Sequence, residues 1–268
     1  MSANFRIMGV LNVTPDSFSD GGDYLDVECA IEHARRLFAD GADLVDVGAE
    51  STRPGAVDVA GEIEVARIEP VIKKLTTIIP GERISIDSRK DELFEIGLKY
   101  GCRFFNRVGK LPDLHLMRRI ATSGGSLAVT HIHGIPATMQ ERPLRTNEVI
   151  TEVEQFFEIS AEQIKISGFD EKKFWLDPGV GFGKTAAANL QVLGNIREWS
   201  RRWPVMIGVS RKGFIGRIFG IENPAARDAP GKVIEWMCGV AGAGLIRTHD
   251  VSGLVKLRVN SAREMQTG

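Results

Sequence analysis

Polar and ionisable residues recur at the ends of short apolar runs in this sequence: Asn12, Thr52 with Arg53, Asp87, Asn106, His131 with His133, Asp177, Ser210 with Lys212, and Arg247 with His249. Their types sort into two chemistries. Asp87, Asn106 and Asp177 supply carboxylates and an amide, the acceptors that the amino and ring N–H groups of a flat heterocycle need. Lys212, Arg247, His249 and Arg53 supply cations; Arg247 and His249, spaced i, i+2 at a strand end, share one side of it, which suits a bound phosphate or pyrophosphate. A protein interior tolerates polar groups only where they pair or bind a ligand, so polar groups closing successive strands mark a single rim.

The elements that must position this rim follow from the alternation of short β-rich runs with longer segments of helical period. The first run leaves through MGVLNVTPDSFSDGG (residues 8–22), whose Asn, Thr, Pro, Asp, Ser and paired Gly have the composition of a working loop. Strand-like runs FRIMGVLNV, ADLVDVG, RISID, CRFFN, SLAVTHIHG, KFWLDPG, PVMIGVS and AGLIRTHD each precede a segment with helical spacing. Helices are predicted near 27–39, 63–76, 91–99, 113–122, 147–166, 188–200, 213–219, 232–243 and 251–264. About eight β/α units of this size predict an α/β fold, a (β/α)8 TIM barrel formed as a single domain over residues 1–268, with function in the loops after each strand. The longest non-periodic stretches, 48–61 and 134–146, are loops of functional length, and a further irregular piece, 220–231, separates the seventh strand from its main helix.

With 268 residues, of which 43% are hydrophobic, the chain can bury a sizeable core. Its 34 basic and 35 acidic residues leave a net charge of −1, so bulk charge points to neither a nucleic-acid nor a membrane partner. An anionic ligand must instead meet a local cluster of donors. Cys29, Cys102 and Cys238 are odd in number and far apart, and are expected as reduced core thiols of a cytoplasmic protein. No segment has the apolar length of a membrane span or the pattern of a secretion signal.

Three tempting motifs carry less. The GKT of GVGFGKT has Pro178 where a nucleotide P-loop requires its first Gly, so the phosphate-loop spacing fails. His131 and His133 have no supporting zinc-ligand pattern and read as a hydrogen-bonding pair at the barrel mouth. Arg201 and Arg202 beside Trp199 and Trp203 read as a snorkelling surface over half-buried indoles.

The loop GVLNVTPDSFSDGG, the segment DVGAESTRPGA, the strand end SIDS, the run LDPGVGFGKT, the triplet SRK and the closing RTHD resemble, in the same order and over nearly the whole chain, the dihydropteroate synthase family. That resemblance implies condensation of 7,8-dihydropterin-CH2-pyrophosphate with p-aminobenzoate, with Mg2+, to give 7,8-dihydropteroate and pyrophosphate. It makes Asp87, Asn106 and Asp177 pterin-binding, with Lys212 against the pterin ring. It gives the pyrophosphate to Arg247 and His249, and the metal or diphosphate to Asn12. Thr52, Arg53, Pro54, Phe182 and Ser210 would border the p-aminobenzoate pocket, with mobile loops after the first two strands closing over it. Asp87, Asp177, Lys212 and Arg53 would carry the catalysis, and a homodimer is implied. The residue types suit such a reaction: cations and Mg2+ stabilise the negative charge of departing pyrophosphate, an electron-rich ring and carboxylates stabilise the positive carbon, and no covalent nucleophile is needed.

The chain departs from the family pattern at Arg107, Lys110, Thr130 and Gly213. A cation beside the pterin site would matter if it pointed inward; strand alternation instead turns Arg107 away from the side that Asn106 faces. These departures motivate an alternative, a non-catalytic or altered-specificity pterin-binding paralogue. A methyltetrahydrofolate methyltransferase-like domain is a further alternative that leaves the phosphate-binding cations and the STRPGA loop without a purpose.

Overall fold

The computed structural model describes residues 4–13, 23–50, 55, 56 and 59–267. Strands and helices alternate along it: β1 (Arg6–Asn12), α1 (Asp23–Ala39), β2 (Leu44–Gly48), α2 (Gly61–Leu75), β3 (Ile84–Asp87), α3 (Asp91–Lys99), β4 (Phe104–Val108), α4 (Leu114–Thr122), β5 (Ser126–Thr130), α5 (Val149–Ser167), β6 (Phe174–Asp177), α6 (Ala186–Gly194), α7 (Ile196–Trp199), β7 (Met206–Gly208), α8 (Gly213–Phe219), α9 (Asp228–Ala241), β8 (Leu245–Thr248) and α10 (Val251–Thr267). The eight strands form one parallel sheet in the order β6-β5-β4-β3-β2-β1-β8-β7. Its two edges meet through a parallel bridge between Leu176 and Val205, and the Leu176 N–H donates to Pro204 O at 2.9 Å. The sheet thereby curls into the nearly closed (β/α)8 barrel that the alternation predicts.

Strands covered by helices outside and packed on one another inside must be apolar on both faces, and alternation divides their side chains between two layers. Ile7, Val45, Val47, Ile86, Phe105, Val129, Leu176 and Ile246 lie in the main core with the helices. Met8, Leu44, Phe104, Ala128, Met206 and Leu245 form a second cluster with Trp175, filling the barrel interior toward its amino end. At roughly 2 kcal/mol for each fully buried Leu, Ile or Phe, these layers hold the barrel rigid around whatever lies above them. Two residues beyond Leu44, Phe104 and Leu245 stand Asp46, Asn106 and Arg247, so the period that builds the apolar plug also aims the polar layer inward.

Local signals fix several helix ends. Asp113 caps α4 by accepting the Leu116 N–H at 2.8 Å, and Thr185 caps α6 by accepting the Ala188 N–H at 3.2 Å. Gly168 closes α5 at φ 75, a conformation that favours Gly.

The expected boundaries change in places. The helix anticipated over 188–200 is two, α6 and α7, parted at Asn195 just after Gly194, a poor helix former. Helix α9 starts at Asp228 rather than 232, because Pro230 lies in its first turn, where a missing N–H costs nothing. Strand β5 ends at Thr130, although its neighbour His131 still donates to Asp177 O at 2.9 Å.

Two residues are corrected outright. Cys29 is exposed on α1 rather than a core thiol, while Cys102 and Cys238 are buried. Trp199 is fully buried, not half-buried, with its indole N–H on Glu154 at 3.1 Å; Trp203 remains at the surface edge with the Arg202 guanidinium 4.0 Å from its ring centroid. Among the described residues no helix is long and apolar enough to cross a membrane.

Candidate active site

The polar layer is organised around Asp46, a residue whose spacing does not single it out. It is fully buried. Its Oδ1 accepts from Ser85 Oγ at 2.5 Å, and its Oδ2 accepts from Asn106 Nδ2 at 3.0 Å and from Arg247 Nε at 2.6 Å. Arg247 Nη2 donates in turn to Asp87 Oδ2 at 2.8 Å. One guanidinium from β8 therefore ties β2 to β3, and through Asp46 to β4. The available signal was an acid in an otherwise apolar, wholly buried strand, LVDVG, since an interior carboxylate must have a partner.

Electrostatics follow from that packing. Burial, and then the Asp46 charge, push the Asp87 carboxyl up to about 7 against the pull of Arg247. Burial opposes the Arg247 charge, but Asp46 and Asp87 together outweigh it and hold the guanidinium protonated. Asp177 is raised by burial, with Lys212 and the Gly179 N–H opposing. Lys212 is pushed down to about 8 by burial, with Asp177 opposing and Arg247 adding to the shift. Asn106 Oδ1 is buried and accepts no hydrogen bond. A buried acceptor without a donor costs about 1–3 kcal/mol, so this atom marks where an external N–H belongs.

A second group lies on the loop after β6. Asp177 Oδ1 accepts from the Gly179 N–H at 2.7 Å. Lys212 Nζ donates to Val180 O at 2.5 Å and sits 4.0 Å from the centroid of the Phe182 ring. Phe182 and Lys212 thus share one wall next to Asp177. Ser210 is engaged elsewhere: its Oγ accepts from the His249 N–H at 3.1 Å and lies 3.0 Å from His249 Nδ1, which groups it with His249 rather than with Phe182. Arg211, between Ser210 and Lys212, adopts φ 59 and is clamped by Asp228 through Nε at 2.9 Å and Nη2 at 2.8 Å. That bidentate pair holds the turn in a conformation uncommon for a residue with a Cβ.

The structure brings Asp87, Asn106 and Arg247 together through Asp46, Asp177 to Lys212 and Phe182, and Ser210 to His249. Asn12 stands at the carboxyl end of β1, in register with Gly48 of β2. No cluster of three His, Cys, Asp or Glu able to hold a metal ion occurs among the described residues. Thr52, Arg53, Pro54 and the loop over 14–22 lie outside the described residues. Arg107 turns away from the polar layer, as alternation predicts: it pairs with Asp91 of α3, its guanidinium 5.8 Å from the Phe94 ring centroid. Lys110 is exposed. Thr130 is buried, in register with Asp177. His131 Nε2 and His133 Nδ1 both meet Glu152 Oε1, at 3.3 and 2.8 Å.

The arrangement offers acceptors for a flat N–H-bearing ring beside cations for an anionic group, and the chain as a whole is similar to known proteins. The family described as pterin binding enzyme matches residues 8–249. The dihydropteroate synthase of Escherichia coli (strain K12) is 35% identical over 252 residues, covering 94% of this chain and 88% of that one. A Xanthomonas albilineans dihydropteroate synthase solved with 4-aminobenzoic acid superposes with a TM-score of 0.88 at 35% identity, covering 98% of this chain and 93% of that one. A structure of the X. albilineans enzyme in complex with 7,8-dihydropteroate gives a TM-score of 0.84 at 32% identity, covering 100% and 96%. The chain belongs to the pterin-binding enzymes and, within them, to the dihydropteroate synthase family of transferases in folate synthesis.

Proposed function

We propose that the chain joins 7,8-dihydropterin-CH2-pyrophosphate to p-aminobenzoate, releasing pyrophosphate and 7,8-dihydropteroate. The observation that carries this reading is the unpartnered, buried Asn106 Oδ1 beside the carboxylates of Asp87 and Asp177, with Arg247 and Lys212 at hand. Asp87, Asn106 and Asp177 accept from the pterin amino and ring N–H groups, and Lys212 packs against the ring. As the methylene C–O bond breaks, negative charge collects on pyrophosphate and positive charge on the pterin methylene. Arg247 and His249 hold the first, while the carboxylates stabilise the second. Arg247 Nη1 has no hydrogen bond among the described residues and is placed to donate to an anion. The arylamine nitrogen then bonds to the methylene carbon and gives up a proton to solvent. Phe182 borders the aromatic acid, a role the resemblance also gives to Ser210 and to Thr52, Arg53 and Pro54, the last three outside the described residues.

Mg2+ fits this donor set as an ion carried by the substrate. Magnesium ordinarily takes one or two protein oxygens and completes its shell with phosphate oxygens and water; Asn12, at the carboxyl end of β1, would supply an amide oxygen, and among the described residues no cluster of three His, Cys, Asp or Glu could hold the ion. The ion would neutralise the leaving pyrophosphate. A homodimer is favoured by exposed apolar side chains on neighbouring late helices: Leu190 of α6, Ile218 and Phe219 of α8, and Val233 and Met237 of α9. A cytoplasmic setting agrees with three free thiols.

The test is pyrophosphate release and dihydropteroate formation by the purified protein with dihydropterin pyrophosphate, Mg2+ and p-aminobenzoate, beside an Asp177→Ala control. Product that requires p-aminobenzoate and disappears in the control supports the reading. No product from a folded wild-type protein that still binds pterin by calorimetry refutes it. Sedimentation at micromolar concentration reads the dimer separately.

A further inference from the structure

Lys184 lies outside the polar layer and is fully buried, so it touches neither solvent nor the open face of the site. Its Nζ is surrounded by three acceptors: Gly179 O at 2.9 Å, Phe182 O at 3.2 Å and His131 Nδ1 at 2.8 Å. An ammonium has three N–H groups, and here each has one partner. A neutral amine would have two for the same three acceptors. His131 can accept at Nδ1 because burial pushes its pKa down to about 4, which keeps the ring neutral, and its Nε2 donates to Glu152. Glu152 thereby fixes the tautomer that Lys184 needs.

The loop so held has little freedom of its own to find this shape. Gly179, Gly181 and Gly183 all have positive φ, at 69, 84 and 66. A Cβ on Gly179 would collide with His131 O, one on Gly183 with His133 O, and one on Gly181 would lie 2.9 Å from Lys212 Cδ. The loop lies flat on the residues that follow β5 on one side and on Lys212 on the other. Glycines that permit the close approach give the unfolded loop more freedom to lose, so a specific tie is needed to hold it. The same loop delivers Phe182 and the Val180 carbonyl to Lys212.

We propose that Lys184 is a positioning residue for the aromatic-acid side of the site: its Nζ binds the 179–183 loop to His131 and so sets Phe182 and Val180 against Lys212. This rests on the synthase reading for its kinetic consequence, but the tie itself does not. Charged groups of β6, α5 and the segment before α8 face Lys184. Burial pushes its pKa down to about 7, Asp177 and Glu152 oppose that shift, and Lys212 adds to it.

The experiment compares wild type with Lys184→Met, and with the pair His131→Asn and His131→Leu, of which only the first keeps an acceptor for Nζ. Backbone amide exchange over residues 179–185 is expected to rise at least tenfold in Lys184→Met and His131→Leu and to stay within threefold in His131→Asn. In steady-state assays the KM for p-aminobenzoate is expected to rise at least tenfold in the first two variants. Their kcat, and calorimetric affinity for 6-hydroxymethylpterin, should change less than threefold. Unchanged exchange in the loop overturns the proposal. So does faster exchange without a change in the p-aminobenzoate KM, which would leave Lys184 a purely structural residue. If Lys184→Met does not fold, the His131 pair decides alone, and equal behaviour of the two overturns the proposal. A wild-type protein that makes no dihydropteroate refutes the synthase reading instead, and the exchange comparison still decides the tie.

Discussion

Replacing Asp46 by Asn would remove one charge from the polar layer while keeping its hydrogen bonds. The amide oxygen can take the place of Oδ2, accepting from Asn106 Nδ2 and Arg247 Nε, and the amide N–H2 can donate to Ser85 Oγ, which now accepts. The main consequence falls on Asp87, whose pKa is lifted to about 7 by burial and then by Asp46. Asp46 and Asp87 share one guanidinium through Nε and Nη2, and two unit charges so held are taken as about 5 Å apart. At an effective dielectric near 20 this repulsion is about 3 kcal/mol, or about two pH units. The midpoint for ionising Asp87 should therefore move about two pH units toward acid in Asp46→Asn. On the proposed reading, ionised Asp87 is the form that would accept from the pterin. Affinity for 6-hydroxymethyl-7,8-dihydropterin, measured by calorimetry, should fall below pH 7 in the wild type and hold to lower pH in the variant. At pH 6 about a tenth of wild-type Asp87 is ionised against about nine tenths in the variant, so the variant should bind about tenfold tighter there and equally at pH 8. Using a ligand without phosphate removes pyrophosphate titration from the comparison. A ratio of affinities that is the same at pH 6 and pH 8 would refute the assignment of Asp87 as an acceptor tuned by Asp46.

Arg107→Ala should leave kcat/KM within about twofold and cost no more than about 1 kcal/mol in urea unfolding, because its partner Asp91 is on α3 and partly exposed. A tenfold loss of activity would place Arg107 in the pocket. Phe157→Ala should destabilise by about 3–5 kcal/mol, since this ring is fully buried edge-on to Trp199 and Trp203 at 5.4 and 5.5 Å, and chemical denaturation reads it directly. Glu235, beneath Thr248, is raised by burial from its ordinary value of 4.5 to about 8. A carboxyl that holds its proton more tightly when folded loses stability as pH rises from the unfolded value through the folded one. Relative to Glu235→Gln, the wild type should therefore lose up to about 1.4 kcal/mol per pH unit between about pH 4.5 and 8; parallel stability profiles would contradict this.

Much of the site was legible because strand period, apolar composition and polar strand ends share one spacing. The barrel, the convergence of Asp87, Asn106, Asp177, Lys212 and Arg247 on one end, and the outward face of Arg107 all follow from alternation along short runs. Asp46 was hidden by its surroundings: in LVDVG it reads as part of a buried strand, and only packing reveals that it bonds groups from β3, β4 and β8. Lys184 was hidden by a failed motif, since the missing P-loop glycine removed its obvious role and its acceptors come from His131 and its own loop. The contact of Ser210 Oγ with His249 was not legible from spacing, since it joins the ends of β7 and β8.

The sequence by itself determined the order of strands and helices, the family, and the list of groups able to bind a heterocycle and an anion, because those depend on residue type and on periods of two and 3.6. Tertiary structure alone decided which charge meets which. Asp46 lies 201 positions from Arg247 in the chain, and Lys184 lies 53 from His131. Contacts across that separation are set by closure of the sheet, and their energies depend on burial, through which Asp87 is lifted, Lys212 lowered and Asn106 Oδ1 left waiting for a donor.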